Sequence, residues 1–232
     1  MRLTESVYFY PSSPGRGWDE EEINANTIVI DGPAPILIDP GLSRRWPSLK
    51  AKLAADGLDP GRIRLIIGTH GHPDHIEAGS MAAQECGALM LISEKEADFI
   101  EGEGDCFFKE SGSQRPPRPS AFLAAGRLRF GGHELWVYPT PGHSPGGISL
   151  HFPAEKVLVT GDLYFEGTIG AIDYAGGCPA DMYASVEAIQ KLEAVETVLC
   201  GHGPAIIGRS LVADNYQQLN EEIAQKKAAG IF

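Results

Sequence analysis

Five of the seven histidines stand in or beside polar, glycine-rich turns: His70, His72, His75, His143 and His202. The densest group is HGHPDH, which places His70, His72, Asp74 and His75 within six residues. In an extended segment, side chains at i and i+2 share a face, so His70 and His72 can grip one ion. Pro73 stiffens the turn that follows. Asp74 and His75 are adjacent and can face another way, toward a second ion. Asp162, in LVTGDLYF, offers two carboxylate oxygens, enough to bridge two cations. Imidazoles and carboxylates without thiolates suit zinc, iron or manganese. A pair of such ions acidifies bound water and polarises a carbonyl, so the chemistry on offer is hydrolysis. No GxSxG elbow competes with it, and Cys86, Cys106, Cys178 and Cys200 form no CxxC and lie in no recognisable catalytic motif. A lone histidine beside a glycine, as at His202, carries little weight; the ordered set carries much more.

The elements that must hold these residues repeat one design. IRLIIGTH, ELWVYPTPGH, KVLVTGD and ETVLCGH each run an apolar strand into a turn with His or Asp at its tip. If those strand ends point the same way, the groups converge in one cleft. IRLIIG, residues 63–68, is nearly all apolar and suits a central strand buried on both faces. TESVYFYPS reads as an edge strand. NANTIVIDG with PILIDPG, and RLRF with ELWVYPT, read as hairpins around glycine turns. GALMLI, GISLHF and KVLVTG add strands, and ETVLCG is read as the last one. Apolar stripes at helical spacing mark Leu42–Leu53, Met182–Leu192 and Val212–Ile223, and a further helix is expected over 77–86. Residues 98–120 show neither period, with Phe107 and Phe108 in a Gly-, Ser-, Pro- and charge-rich run; they read as a loop or lid insertion. Strands followed by helices in each half imply an α+β fold, with two sheets packed together and helices outside, in one domain over 1–232.

The formal net charge is −12, from 19 basic and 31 acidic residues, and no Lys/Arg-rich block interrupts it. Nucleic acid and anionic membrane are therefore not expected as partners; a small molecule is. The opening MRLTESVYFYPSSP has no long apolar core and no apolar run approaches a membrane span, so a cytoplasmic protein is expected.

THGHPDH at 69–75, followed by GHSPGG, TGDLYF and CGHGP in order, resembles the signature of the metallo-β-lactamase fold superfamily across roughly residues 3–225. The resemblance implies an αββα sandwich with the site along one edge of two mixed sheets. It implies His70, His72 and His143 as ligands of a first metal, Asp74, His75 and His202 as ligands of a second, and Asp162 as the bridge. Asp39, in LIDPG, matches a position near that site and is expected to orient a ligating histidine. Within the family, the chain looks most like glyoxalase II-like thioesterases, which share the TH-x-H-x-DH form, the GHSPG turn and the GD-x-x-F segment. It departs from them at Ala171, where many relatives carry Arg, and shows no evident helical glutathione-binding extension.

The resemblance thus implies a binuclear hydrolase of a small ester-like bond, a thioester first, acting through metal-held hydroxide. Zinc is the first expectation, with iron or manganese as alternatives. Asp74 is a ligand that could also hold the attacking water. The Tyr164 hydroxyl either packs in the core or donates to the substrate oxyanion or leaving group. Phe107, Phe108 and Tyr174 either pack or form an apolar wall. Rival readings are a mononuclear iron persulfide dioxygenase using His70, His143 and Asp162, a lactonase, and a non-enzymatic metal-binding protein. A homodimer is expected on the general frequency of C2 pairs.

Overall fold

The computed structural model describes residues 1–12, 24–113 and 115–231. Residues 13–23 and 232 of the expected domain, and residue 114 of the expected insertion, lie outside the described residues. One six-stranded sheet has the spatial order of the sequence: β1 (Val7–Tyr10), β2 (Thr27–Ile30), β3 (Ile36–Ile38), β4 (Leu65–Ile67), β5 (Leu89–Ile92) and β6 (Ala121–Phe122). β1, β2 and β3 are antiparallel, as the edge-strand and hairpin reading requires, and β3 through β6 are parallel.

The second sheet contains β7 (Gly126–Phe130), β8 (His133–Pro139), β9 (Ile148–Phe152), β10 (Val157–Gly161), β13 (Thr197–Cys200) and β14 (Ile206–Ile207). Its order is β14-β13-β10-β9-β8-β7, and a two-stranded ribbon, β11 (Tyr164–Phe165) with β12 (Thr168–Ile169), stands apart. β8 and β10 are both antiparallel to β9, and β13 is parallel to β10. β8, β10 and β13 therefore run the same way and end at the same edge.

Period-two alternation explains why the strands read as almost wholly apolar. Val7, Phe9, Ile28, Ile30, Leu65 and Ile67 face the other sheet, where they meet Leu135, Leu150, Phe152 and Val159. Tyr8, Tyr10, Val29, Leu37 and Ile66 face outward, under the helices. Covering that side are α1 (Trp46–Ala55), α2 (Pro73–Ile76), α3 (Gly79–Cys86), α4 (Glu94–Glu101) and α5 (Asp105–Glu110). α6 (Pro179–Ile189) and α7 (Arg209–Ala228) cover the second sheet through Met182, Val186, Val212 and Leu219. The result is the layered αββα arrangement. Among the described residues, no helix is long and apolar enough to cross a membrane.

Three sequence expectations change. The helix expected over 77–86 is α3, beginning at Gly79, and a separate short helix, α2, precedes it on the ligand-bearing turn, with Glu77 and Ala78 between the two. ETVLCG is not the final strand, because β14 turns back beside it as a two-residue edge. Residues 98–120 are not without regular structure: α4 extends to Glu101 and α5 follows. Phe99, Ile100 and Phe108 from this stretch are buried in the first sheet's helical layer. At roughly 1.5–3 kcal/mol per buried side chain of this kind, that anchorage holds the stretch against the sheet.

Candidate metal centre

Four strands deliver the site to one edge of the sandwich. The turn after β4 carries His70 and His72, and α2 carries Asp74 and His75. The turns after β8, β10 and β13 carry His143, Asp162 and His202. Backbone hydrogen bonds tie these turns together: Ile148 N–H donates to Thr69 O at 2.9 Å, Gly201 N–H to Gly161 O at 2.8 Å, and Asn26 N–H to Gly201 O at 2.7 Å. All seven residues read as ligands from the sequence meet here.

They divide into two groups. His72 Nδ1 lies 3.1 Å from His70 Nε2 and 2.9 Å from His143 Nε2. On the other side, Asp74 Oδ2 lies 3.1 Å from His202 Nε2 and 3.7 Å from His75 Nε2. Asp162 stands between them. Its Oδ1 is 3.2 Å from His75 Nε2, and its Oδ2 is 3.5 Å from His202 Nε2 and 3.7 Å from His143 Nε2.

This donor set fits divalent cations on three observations. Ligands about 2.0–2.1 Å from a tetrahedral ion stand about 3.3 Å apart, close to the nitrogen separations in the three-histidine group. His75 Nε2 and Asp162 Oδ1 are buried and face each other at 3.2 Å without a well-formed hydrogen bond, and a cation between them would satisfy both. The opposite ring nitrogens are held by the protein: His143 Nδ1 donates to Ala171 O at 2.7 Å, His75 Nδ1 to Asp39 Oδ2 at 2.8 Å, and His70 Nδ1 faces Thr69 Oγ1 at 3.2 Å. Those contacts turn the free nitrogen of each ring toward the shared space.

Charge is distributed accordingly. Burial, reinforced by the neighbouring imidazoles, lowers His70 well below its ordinary value and takes His72 to about 3, so both rings stay neutral donors. Burial pushes Asp74 and Asp162 the other way, but His75 and His202 prevail. Asp74 falls to about 2 and Asp162 well below the usual carboxylate range. Burial lowers His75 and His202, yet the facing carboxylates raise both overall.

Asp39 occupies the expected place. It is wholly buried, and besides His75 it accepts from Thr69 N–H and Thr69 Oγ1–H, both at 2.8 Å. Of the two readings of Tyr164, core packing is the one the structure places, and the hydroxyl does not line the cavity. The Tyr164 side chain is 0% exposed in the core of the second sheet's helical layer, its ring 6.2 Å from that of Tyr216. Strand alternation in β11 turns Phe165, not Tyr164, to the cavity.

That cavity, of about 950 Å³, opens over the two groups. Leu42, Phe107, Phe165 and Tyr174 form its apolar walls. The Phe107 ring stands edge-on to His72 at 4.8 Å and to Tyr174 at 6.4 Å. Phe107 and Tyr174 thus lie where an apolar wall was expected, whereas Phe108 is core. The sequence reading missed the Ala171 carbonyl, Thr69 and the buried Glu96. A backbone carbonyl has no sequence signal, but Ser93-x-x-Glu96 is a readable helix-capping pattern.

Comparison with known proteins agrees with this geometry. Residues 21–202 match the family described as the metallo-beta-lactamase superfamily. The chain is 28% identical over 190 residues to the probable metallo-hydrolase YqgX of Bacillus subtilis, covering 79% of this chain and 86% of that one. It is 29% identical over 179 residues to a hydroxyacylglutathione hydrolase of Brucella ovis, covering 77% of this chain but only 58% of that protein. Among solved structures, TTHA1623 in a di-iron-bound form superposes with a TM-score of 0.71 at 28% identity, over 89% of this chain and 98% of that one. The BLEG-1 B3 metallo-beta-lactamase gives the same TM-score of 0.71 at 26% identity, over 87% and 93%.

Proposed function

The chain belongs to the metallo-beta-lactamase superfamily, and we propose that it is a binuclear metal-dependent hydrolase of a small ester-like bond, specifically a thioester. The observation that carries the proposal is Asp162 standing between two complete donor groups at the floor of one cavity. His70, His72 and His143 would hold one ion, Asp74, His75 and His202 the other, and Asp162 both. Zinc suits the nitrogen-rich set; the di-iron relative supports iron as the alternative, and manganese remains compatible with the donors. When bound, such ions supply Lewis acidity toward a carbonyl and water acidified to a nucleophile at neutral pH.

The chain's own groups do the rest. Asp74, ionised across the neutral range, turns one oxygen to His202; its other oxygen would hold the proton of a nucleophilic water. Phe107 and Tyr174 wall the cavity beside His72, where they exclude water and receive the apolar part of an acyl group. A thiolate leaves without a dedicated acid, so the absence of Tyr164 from the cavity wall is no obstacle. The hydroxyacylglutathione hydrolase relative supports the thioester reading. Cytoplasmic action on a small molecule, as a homodimer, remains part of the proposal.

The test is one panel on zinc-, iron- and manganese-loaded protein: S-lactoylglutathione, simple acyl thioesters, an acyl-homoserine lactone, a chromogenic cephalosporin and glutathione persulfide. Thioester turnover abolished by His70→Ala and His143→Ala is the expected result. Lactone turnover alone, or oxygen uptake with persulfide on iron protein alone, replaces the reading.

A further inference from the structure

One buried carboxylate takes no part in the chemistry above. Glu96, in the first turn of α4, is 0% exposed, although glutamate is among the residues least often buried. Ser93 caps the helix, its Oγ accepting from Glu96 N–H at 3.2 Å. In the usual reciprocal cap, the glutamate reaches back to the capping residue's own N–H. Here it points elsewhere: Glu96 Oε1 accepts from Gly146 N–H at 2.6 Å. Ser93 Oγ–H in turn donates to Gly146 O at 2.6 Å. The two residues therefore grip the Gly146 backbone from both its donor and its acceptor side. Gly146 is three residues beyond His143.

The second carboxylate oxygen faces the other loop. A Cβ on Gly71 would lie 2.6 Å from Glu96 Oε2 and 2.5 Å from Ile100. Gly71 separates His70 from His72. A Cβ on Gly146 would lie 2.6 Å from each of Glu96 N, Lys95 Cβ and Ser93 Oγ. Both loops press their backbones onto the start of α4 where only glycine fits. The three nitrogens of the His70, His72 and His143 group come from these two loops, and from no other segment.

We infer that Glu96 is a positioning residue for the first metal site: its carboxylate sets the spacing between the 70–72 turn and the 143–147 turn, and with it the three-histidine geometry. The inference rests on the reading that those histidines hold a metal. Glu96→Gln keeps the volume but removes the charge: with its oxygen on the Gly146 N–H, its NH2 takes the place of Oε2, a buried oxygen that faces the Gly71 backbone with no hydrogen-bond partner.

The test is titration of chelator-treated protein with cobalt(II), following the visible d–d absorption and the affinity of each equivalent by competition with a chromogenic chelator. Thermal unfolding is measured alongside. Glu94→Gln, which removes an exposed acid from the same helical turn, is the control. The expected result is a loss of about 10–100-fold in affinity for the three-histidine equivalent, with an altered spectrum, in Glu96→Gln but not in Glu94→Gln. The equivalent held by Asp74, His75 and His202 should change by less. Glu96→Gln with wild-type affinities and spectrum, even if less heat-stable, overturns the inference and leaves the metal reading intact. Wild-type protein that binds no cobalt overturns both.

Discussion

Asp39→Asn isolates a single oxygen-to-nitrogen exchange behind the second donor group. Asp39 has a φ of +53°, a region that asparagine tolerates, so the substitution leaves the backbone unstrained where alanine would not. The carboxylate accepts three hydrogen bonds, two on Oδ2 from Thr69 Oγ1 and His75 Nδ1, and one on Oδ1 from Thr69 N–H. An amide keeps its oxygen on the Thr69 N–H and turns NH2 toward the other two donors. The threonine hydroxyl can rotate and accept; His75 can accept only by moving its proton from Nδ1 to Nε2. That move blocks the nitrogen aimed at Asp74 and Asp162. One hydrogen bond to a carboxylate is worth about 1.5–3 kcal/mol, and about 1.4 kcal/mol is tenfold in affinity. The expected loss is therefore about 10–100-fold for the second equivalent, with the three-histidine equivalent little changed. Competition with a chromogenic chelator reads both. Two equivalents bound at wild-type affinity, with unchanged kcat, would refute the argument that Asp39 fixes the His75 tautomer.

Three further outcomes are expected. Asp162→Asn should keep the fold by circular dichroism but lower thioester turnover by at least about 100-fold at saturating metal, since a neutral amide is a poorer bridge; unchanged turnover at full loading removes Asp162 as the bridge. Phe107→Ala and Tyr174→Ala should raise KM several-fold for thioesters with bulky apolar acyl groups and leave acetyl thioesters nearly unaffected; equal effects on both series would show that the wall does not contact the acyl group. Burial pushes the Cys200 thiol to about 12 and also raises Cys86, whereas Cys106 is exposed. At pH 8 only about one Cys200 in 10⁴ is thiolate, and raising the pH to 9 gains only tenfold. Mass spectrometry after iodoacetamide treatment should find Cys106 modified and Cys86 and Cys200 protected, and fast labelling of Cys200 in folded protein would contradict its burial.

What the sequence revealed follows from what each feature demands. A metal site needs particular residue types, so His70, His72, Asp74, His75, His143, Asp162 and His202 stood out by chemistry before any geometry was known. β4 was legible because a strand buried on both faces admits only apolar residues at Leu65, Ile66 and Ile67. α4 and α5 were not, because Gly102 and Gly104 cut the stretch into helices too short for a 3.6-residue period to declare itself. Phe99, Ile100 and Phe108 are held by the core rather than by local propensity. The two readings of Tyr164 stayed open for another reason. A two-residue strand has an alternation but no phase, and only the packing against Tyr216 decides which ring faces the cavity. The Ala171 carbonyl that orients His143 is the same in any residue, so no letter could point to it.

The most direct test of the binuclear hydrolase is anomalous diffraction at the metal edge on crystals of remetallated protein. The expected result is two peaks about 3.5–4 Å apart, one among His70, His72 and His143, the other among Asp74, His75 and His202, both within bonding distance of Asp162. A single peak at full occupancy, or none, would contradict it.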